Sequence, residues 1–238
     1  MCHGEDKWIC SEVGDDPALC NRTTLLKPPA WYATEALHQF AEVIRLASGG
    51  SIEESRGALA TVRAGEMHDY LLEHGRETGL SRLRVQGIKR PKRPLVPVVK
   101  DPVRDPAKLA NEVWKRDHYN CRYCGTPVIA PSVLIAYSRL IGSDTFWISR
   151  PVERRHGVVL AFRAYADHVV PHASGGRTTV KNLVTACWSC AYGKASYDIE
   201  MLKLDSPWDR PASESPWQGL IQYLPGLQAL TRNKSRSK

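Results

Sequence analysis

The sequence lacks the features that would direct it into or across a membrane. Its 238 residues contain no run of about 18 consecutive apolar residues, so the sequence predicts no transmembrane helix. The first residues, MCHGEDKW, are polar and partly acidic and do not include the apolar run of a secretory signal. We therefore expect a cytoplasmic protein.

Internal repeats are also absent, and the composition excludes fibrous and wholly disordered proteins. Apolar residues make up 42% and charged residues 24% of the chain, which are ordinary proportions for a globular protein. A chain of this length predicts one or two domains.

Negative charge is scarce in the later part of the chain. Residues 1–80 carry a net charge of −6, from 7 Lys and Arg against 13 Asp and Glu, whereas residues 81–238 carry +14. A basic region of this size attracts a polyanion, and nucleic acid is the usual one. A basic surface that serves only solubility is the alternative reading.

Apolar residues in the first third of the chain recur at helical spacing. Phe40 and Ile44 belong to this pattern, and two glycines at 49–50 predict the end of the helix. Ser51, followed by Glu54, predicts a capping box for a second helix. Later, the residues VVLAFRAYA predict a strand and NLVTACWSCAYGK predicts a helix.

These patterns predict an α+β protein with an N-terminal α-helical domain and a smaller C-terminal domain. Between them lies a linker that holds five prolines and seven Lys and Arg, and prolines favour extended backbone. The predicted division is a cysteine-containing segment over 1–30, a helical domain over 31–83, the linker over 84–106, a cysteine-paired domain over 107–204, and a helical extension with a basic tail over 205–238.

Four of the seven cysteines form two C-x-x-C pairs separated by 62 residues. The odd number of cysteines and the missing secretory signal argue against a disulfide framework. Four thiolates fill the tetrahedral shell of Zn²⁺, so such a site is structural rather than catalytic. We expect a zinc ion at Cys121, Cys124, Cys187 and Cys190; redox pairs or buried free thiols are the alternative.

The N-terminal segment holds candidate ligands for a second zinc site. Three thiols and an imidazole could form another tetrahedral shell, although their spacing is irregular. The candidate ligands are Cys2, His3, Cys10 and Cys20; free cysteines in a leader segment are the alternative.

Adjacent acidic and imidazole side chains mark the segment between the two cysteine pairs. Asp167 offers a hard oxygen ligand for Mg²⁺, and His168 offers a base that works near neutral pH. The full pattern reads D-H-V-V-P-x-x-x-G-G, then N-L, then C-x-x-C-x-x-x-K, after an upstream C-x-x-C. This arrangement resembles the HNH endonuclease family over roughly residues 110–200.

The resemblance implies a ββα-metal fold over the nuclease domain, 107–204, with a structural zinc and a catalytic Mg²⁺ or Mn²⁺. Asp167 would bind the catalytic ion, His168 would activate water, and Asn182 would hold the loop over the site. Lys194 would lie near the substrate phosphate. Further candidates for contacts with phosphate or DNA are His172, Arg163 and Arg177.

One position departs from the family pattern. The residue after the last zinc cysteine is usually Asn or His and completes the metal shell, but here it is Ala191. A methyl group cannot bind a cation. Either a substitution has been engineered to disable cleavage, or the natural protein is a weak or inactive member that uses another ligand.

These observations together predict a metal-dependent DNA endonuclease, with restriction or phage defence as its setting. Double-stranded DNA is the expected partner, and cleavage of both strands, which usually needs two sites, favours a homodimer. The alternative is a non-catalytic, zinc-stabilised module that binds nucleic acid.

Overall fold

The computed structural model describes residues 28–74, 105–202, 204–212 and 214–236. These residues combine helices with one small antiparallel sheet, which confirms the mixed α+β class. A π-helical turn leads into the first helix. The helices are α1 (Leu37–Ser48), α2 (Ile52–Thr61), α3 (Ala64–His74), α4 (Ala107–Arg116), α5 (Pro131–Ile141), α6 (Gly157–Phe162), α7 (Trp188–Lys194) and α8 (Leu224–Arg236).

Helix α1 buries the apolar face that its sequence predicts. Phe40, Val43 and Ile44 are fully buried, and the helix ends at Gly49, as expected. Gly50 continues the turn with a φ of +94°, a conformation that favours glycine. Helix α2 begins directly after Ser51, but the Ser51 side chain makes no capping hydrogen bond, so the predicted capping box is wrong.

A continuous apolar core joins helices α1–α3 to the residues that follow position 105. Polar contacts cross the same boundary, because the Ser55 and Tyr137 hydroxyl groups lie 3.1 Å apart and Arg56 donates to the carbonyl oxygen of Ile141. Helix α8 packs on α5 and α1. The predicted division into domains stays a prediction, and residues 75–104, which include most of the predicted linker, lie outside the described residues.

Helix α6 occupies residues for which the sequence predicts a strand. All six residues of α6 are buried, between α3 on one side and α7 on the other. The apolar run therefore reflects burial on every side rather than strand alternation. The contact with α3 is close: a Cβ atom at Gly157 would lie 1.9 Å from the carbonyl oxygen of Ala64, so only glycine fits.

The sheet consists of strands β1 (Tyr165–His168) and β2 (Leu183–Ala186), which pair antiparallel. Asp167 lies opposite Val184 and His168 opposite Leu183. The helix predicted over residues 182–194 begins only at Trp188, because the first part of that segment forms β2. Helices α4 and α7 both pack against β1.

A buried carboxylate anchors β2 to the end of α4. Asp117 is 1% exposed and accepts a hydrogen bond of 2.7 Å from the Thr185 amide. Arg116 neutralises this carboxylate at 2.8 Å and also donates to the carbonyl oxygens of Val180 and Leu183. The charge is thus paired and hydrogen-bonded, which makes its burial tolerable.

The segment over 204–210 closes over the first cysteine pair through two arginines. Arg210 donates to the carbonyl oxygen of Arg122 at 2.8 Å and to that of Tyr123 at 3.1 Å. Arg122 in turn donates to the carbonyl oxygens of Pro207 and Arg210.

Among the described residues, no helix is long and apolar enough to cross a membrane.

We predict that His156 makes the fold sensitive to mild acid. Burial, with a contribution from the charge of His68, lowers the pKa of His156 from 6.5 to about 4. The unfolded chain therefore binds more protons than the folded chain between these values, and the free energy of unfolding falls as the pH drops through that window. The largest loss is about 3 kcal/mol.

Urea unfolding at pH 7 and pH 4.5 tests this. Between pH 7 and pH 4.5, His156→Phe should lose less stability than the wild-type protein. His38→Phe, on the exposed side of α1, should lose as much as the wild-type protein. An equal loss in His156→Phe would contradict the prediction.

Candidate functional site

Two short turns bring the four paired cysteines together. In the first, the Gly125 amide donates to the carbonyl oxygen of Cys121 at 2.8 Å, and Gly125 has a φ of +78°. In the second, Cys187 is the N-cap of α7 and Cys190 lies in its first turn. All four Sγ atoms lie within 4.8 Å of one another, which confirms the predicted cluster.

The cluster fits a zinc ion. Zn–S bonds of about 2.3 Å in a tetrahedron place sulfur atoms about 3.8 Å apart, and the Sγ atoms of Cys124 and Cys187 are 3.7 Å apart. Hydrogen bonds from neighbouring thiols hold the pKa of Cys124 well below its usual range, while the same contacts raise those of Cys187 and Cys190. Zn²⁺ would bind all four as thiolates and leave no open position.

The Asp167 carboxylate points into the protein and has two partners there. Tyr123, between the first two cysteines, donates its hydroxyl to Asp167 Oδ2 at 2.8 Å. The Lys194 ammonium group lies 3.2 Å from the same oxygen and donates to the carbonyl oxygen of His168 at 2.7 Å. Burial raises the pKa of Asp167, while the Lys194 charge and the Tyr123 hydrogen bond oppose that rise.

The His168 side chain contacts the loop that follows β1. Its Nε2 atom lies 3.0 Å from the Thr178 hydroxyl oxygen, which fixes the orientation of the ring. The rings of His168 and His172 are 6.2 Å apart, so the structure brings these two predicted residues together. Asp167 thus faces the buried ammonium group of Lys194, whereas His168 faces the loop.

Asn182 closes that loop with three hydrogen bonds. Its side-chain oxygen accepts from the Val170 amide at 3.0 Å, and its Nδ2 donates to the carbonyl oxygens of Val170 and Arg177. Gly176 permits this closure, because a Cβ atom there would lie 1.8 Å from the Val170 carbonyl oxygen and 2.8 Å from Asn182 Nδ2. The loop conformation therefore depends on both residues.

The residues around Asp167 do not fit a resident divalent ion. Ala191, on α7, offers no ligand, and Asp167 Oδ2 already accepts from Tyr123 and Lys194. Two unit charges about 4 Å apart repel by about 4 kcal/mol at an effective dielectric constant of about 20, and a divalent ion doubles that repulsion. Among the described residues, the four cysteines alone form a group of three or more potential metal ligands.

The other predicted contact residues lie at different depths. Arg177 is exposed at the loop, and its carbonyl oxygen accepts from Asn182. Arg163 follows α6 and lies over the Tyr165 ring at 5.9 Å. The Lys194 side chain is only 1% exposed. The N-terminal candidates for a second zinc site lie outside the described residues: Cys2, His3, Cys10 and Cys20.

Sequence reasoning did not identify Tyr123 and Thr178 as site residues. Neither a tyrosine between two paired cysteines nor a threonine after a Gly-Gly turn indicates by itself a site residue. The signal that could have identified Tyr123 is its position inside the first cysteine pair, which fixes its backbone close to β1. No sequence signal distinguishes Thr178 from its neighbour Thr179.

Comparison with known proteins identifies the segment that contains Asp167, His168 and Asn182. Residues 162–194 match the sequence model of the HNH endonuclease family, which confirms the resemblance. The matched segment runs from the last residue of α6 through β1, the loop and β2 to the end of α7. No curated protein and no solved structure shows a significant match to the chain.

We predict that zinc is required for the stability of this region. The purified protein should contain about one zinc per chain, and Cys187→Ser should lower the free energy of unfolding by at least about 4 kcal/mol, since loss of a structural metal is among the largest single-residue effects. Elemental analysis and thermal unfolding provide the measurement. Cys20→Ser is the matched control. A lower zinc content in Cys20→Ser than in the wild-type protein would assign a second ion to the N-terminal cysteines. Wild-type protein without zinc would contradict the prediction.

We also predict that Gly176→Ala disrupts the loop. The overlap with the Val170 carbonyl oxygen should lower stability by about 1–3 kcal/mol. Gly65→Ala is the matched control, because a Cβ atom at this helical position meets nothing within 4 Å and should leave stability unchanged or slightly raised. Urea unfolding of both variants checks this. Equal stability of the two variants would contradict the close contact between residue 176 and the Val170 carbonyl oxygen.

Proposed function

We propose that the chain is an HNH-type endonuclease that binds DNA and hydrolyses its phosphodiester bonds slowly. One observation carries this proposal: within the segment that matches the family, His168 ends β1 and its ring is oriented by Thr178 beside a loop closed by Asn182. An oriented imidazole next to a closed loop is the arrangement expected of a general base.

In the proposed reaction, His168 takes a proton from a water molecule at the loop. The water oxygen forms a bond to phosphorus, and the bond from phosphorus to the leaving sugar oxygen breaks. That oxygen then takes a proton from solvent. Positive groups near the developing charge would stabilise the phosphorane, and the Arg177 guanidinium group lies on the same loop.

Double-stranded DNA is the proposed substrate because of the charge of the chain. The net charge of +14 over residues 81–238 favours a polyanion, and counterion release makes such binding salt-sensitive. We propose restriction or phage defence as the setting and a homodimer as the form that cuts both strands. The metal-dependent version of the reaction is not part of the proposal, because the residues around Asp167 do not fit a divalent ion.

A second candidate is a zinc-stabilised module that binds DNA without cutting it. Ala191 favours this function, since the family pattern places a metal ligand there. The zinc cluster and the loop would then serve only to shape a binding surface.

Plasmid nicking separates the two functions. The wild-type protein should nick supercoiled DNA at a similar rate with Mg²⁺, Mn²⁺ or Ni²⁺ in the buffer and in a parallel series with EDTA, because the proposed reaction uses no bound divalent ion. His168→Ala should reduce the rate by about 10²–10⁴-fold, since that is the usual contribution of a general base. DNA affinity should change by less than about twofold, because the binding charges remain.

His38→Ala, which replaces an exposed histidine of α1, is the control and should nick at the wild-type rate. If the wild-type protein binds DNA but never nicks it under any of these conditions, the endonuclease proposal is wrong and the binding module replaces it.

A further inference from the structure

The Asp167 carboxylate already has a cation beside it. Lys194 lies three residues after Ala191 on α7, and side chains at this spacing share one face of a helix. From this face, the lysine side chain reaches strand β1. Its ammonium group lies 3.2 Å from Asp167 Oδ2.

The ammonium group is held from several sides. It donates to the carbonyl oxygen of His168 at 2.7 Å, and the lysine side chain is 1% exposed while that of Asp167 is 13% exposed. A buried charge of this kind is retained only with a partner of opposite sign and further hydrogen bonds. Tyr123 adds the hydrogen bond that completes the pairing, at the same carboxylate oxygen.

We infer that the Lys194 ammonium group is the resident cation of Asp167 and excludes divalent metal ions from this carboxylate. A divalent ion at Asp167 would have to displace a buried ion pair and stand next to an ammonium group that cannot reach solvent. The absence of a ligand at position 191 is then secondary, because the charge of Lys194 suffices to keep the ion away. This inference goes beyond the proposed function and does not depend on DNA cleavage.

Direct Mn²⁺ binding tests the inference without DNA. The zinc-loaded full chain is titrated with Mn²⁺, and electron paramagnetic resonance measures the free ion. The wild-type protein and Ala191→Asn should both bind Mn²⁺ no more tightly than Asp167→Asn does. The double variant Ala191→Asn, Lys194→Met should bind one Mn²⁺ per chain at least about tenfold more tightly, and adding Asp167→Asn should remove that binding.

Lys181→Met, which removes an exposed lysine of the same segment, is the matched control and should behave like the wild-type protein. Tight binding by Ala191→Asn alone would overturn the inference, because the missing ligand and not the ammonium group would then keep the ion away. A folded double variant that binds no Mn²⁺ would also overturn it.

Circular dichroism and zinc content establish whether the double variant is folded. If the double variant does not fold, the wild-type protein, Ala191→Asn and Asp167→Asn are compared instead. If the wild-type protein or Ala191→Asn binds Mn²⁺ more tightly than Asp167→Asn does, the Lys194 ammonium group does not exclude the ion and the inference is wrong. A loss of DNA cleavage would affect the proposed function only, because this titration contains no nucleic acid.

Discussion

The convergence of the two cysteine pairs is the constraint on which the rest of the candidate site depends. Their Sγ atoms lie within 4.8 Å of one another although 62 residues separate the pairs. This fixes the first turn, β2 and α7 relative to one another, and the Arg122 amide adds a hydrogen bond to the Thr185 carbonyl oxygen of β2. Tyr123 stands inside the first pair, so the cluster also sets where its hydroxyl meets Asp167. The cysteine cluster, which offers no open position for chemistry, thus determines the environment of the carboxylate.

Charge counted along the sequence differs from charge that a ligand can reach. Arg116, Arg122 and Arg210 each donate to backbone carbonyl oxygens, and the first of them also neutralises a buried aspartate. These guanidinium groups hold segments of the fold together, as Lys194 holds the end of β1. The groups that remain for a polyanion are those at the surface, such as Arg177. The net charge of the basic region therefore indicates the sign of a partner better than the number of contacts with it.

Patterns that depend on one exposed face were predictable from the sequence, and fully buried ones were not. Helix α1 has an apolar face and a polar face, so its spacing and its end at Gly49 follow from the residues. Helix α6 is buried on every side, and its apolar run carries no periodicity that would distinguish it from a strand. The cysteine cluster was predictable because each of its two halves is a short C-x-x-C motif in the sequence. The contact of Tyr123 with Asp167 was not, because it joins residues 44 positions apart through the geometry that the cluster imposes.

The close approach of Gly157 to Ala64 joins the amino-terminal helices to α6, whose last residue begins the matched segment. Only two residues, Arg163 and Ala164, separate the end of α6 from the start of β1. Because the first residue of α6 has no space between it and the start of α3, these two helices cannot move closer together at this point. The amino-terminal helices therefore limit where α6, and with it the start of the strand that carries Asp167 and His168, can lie.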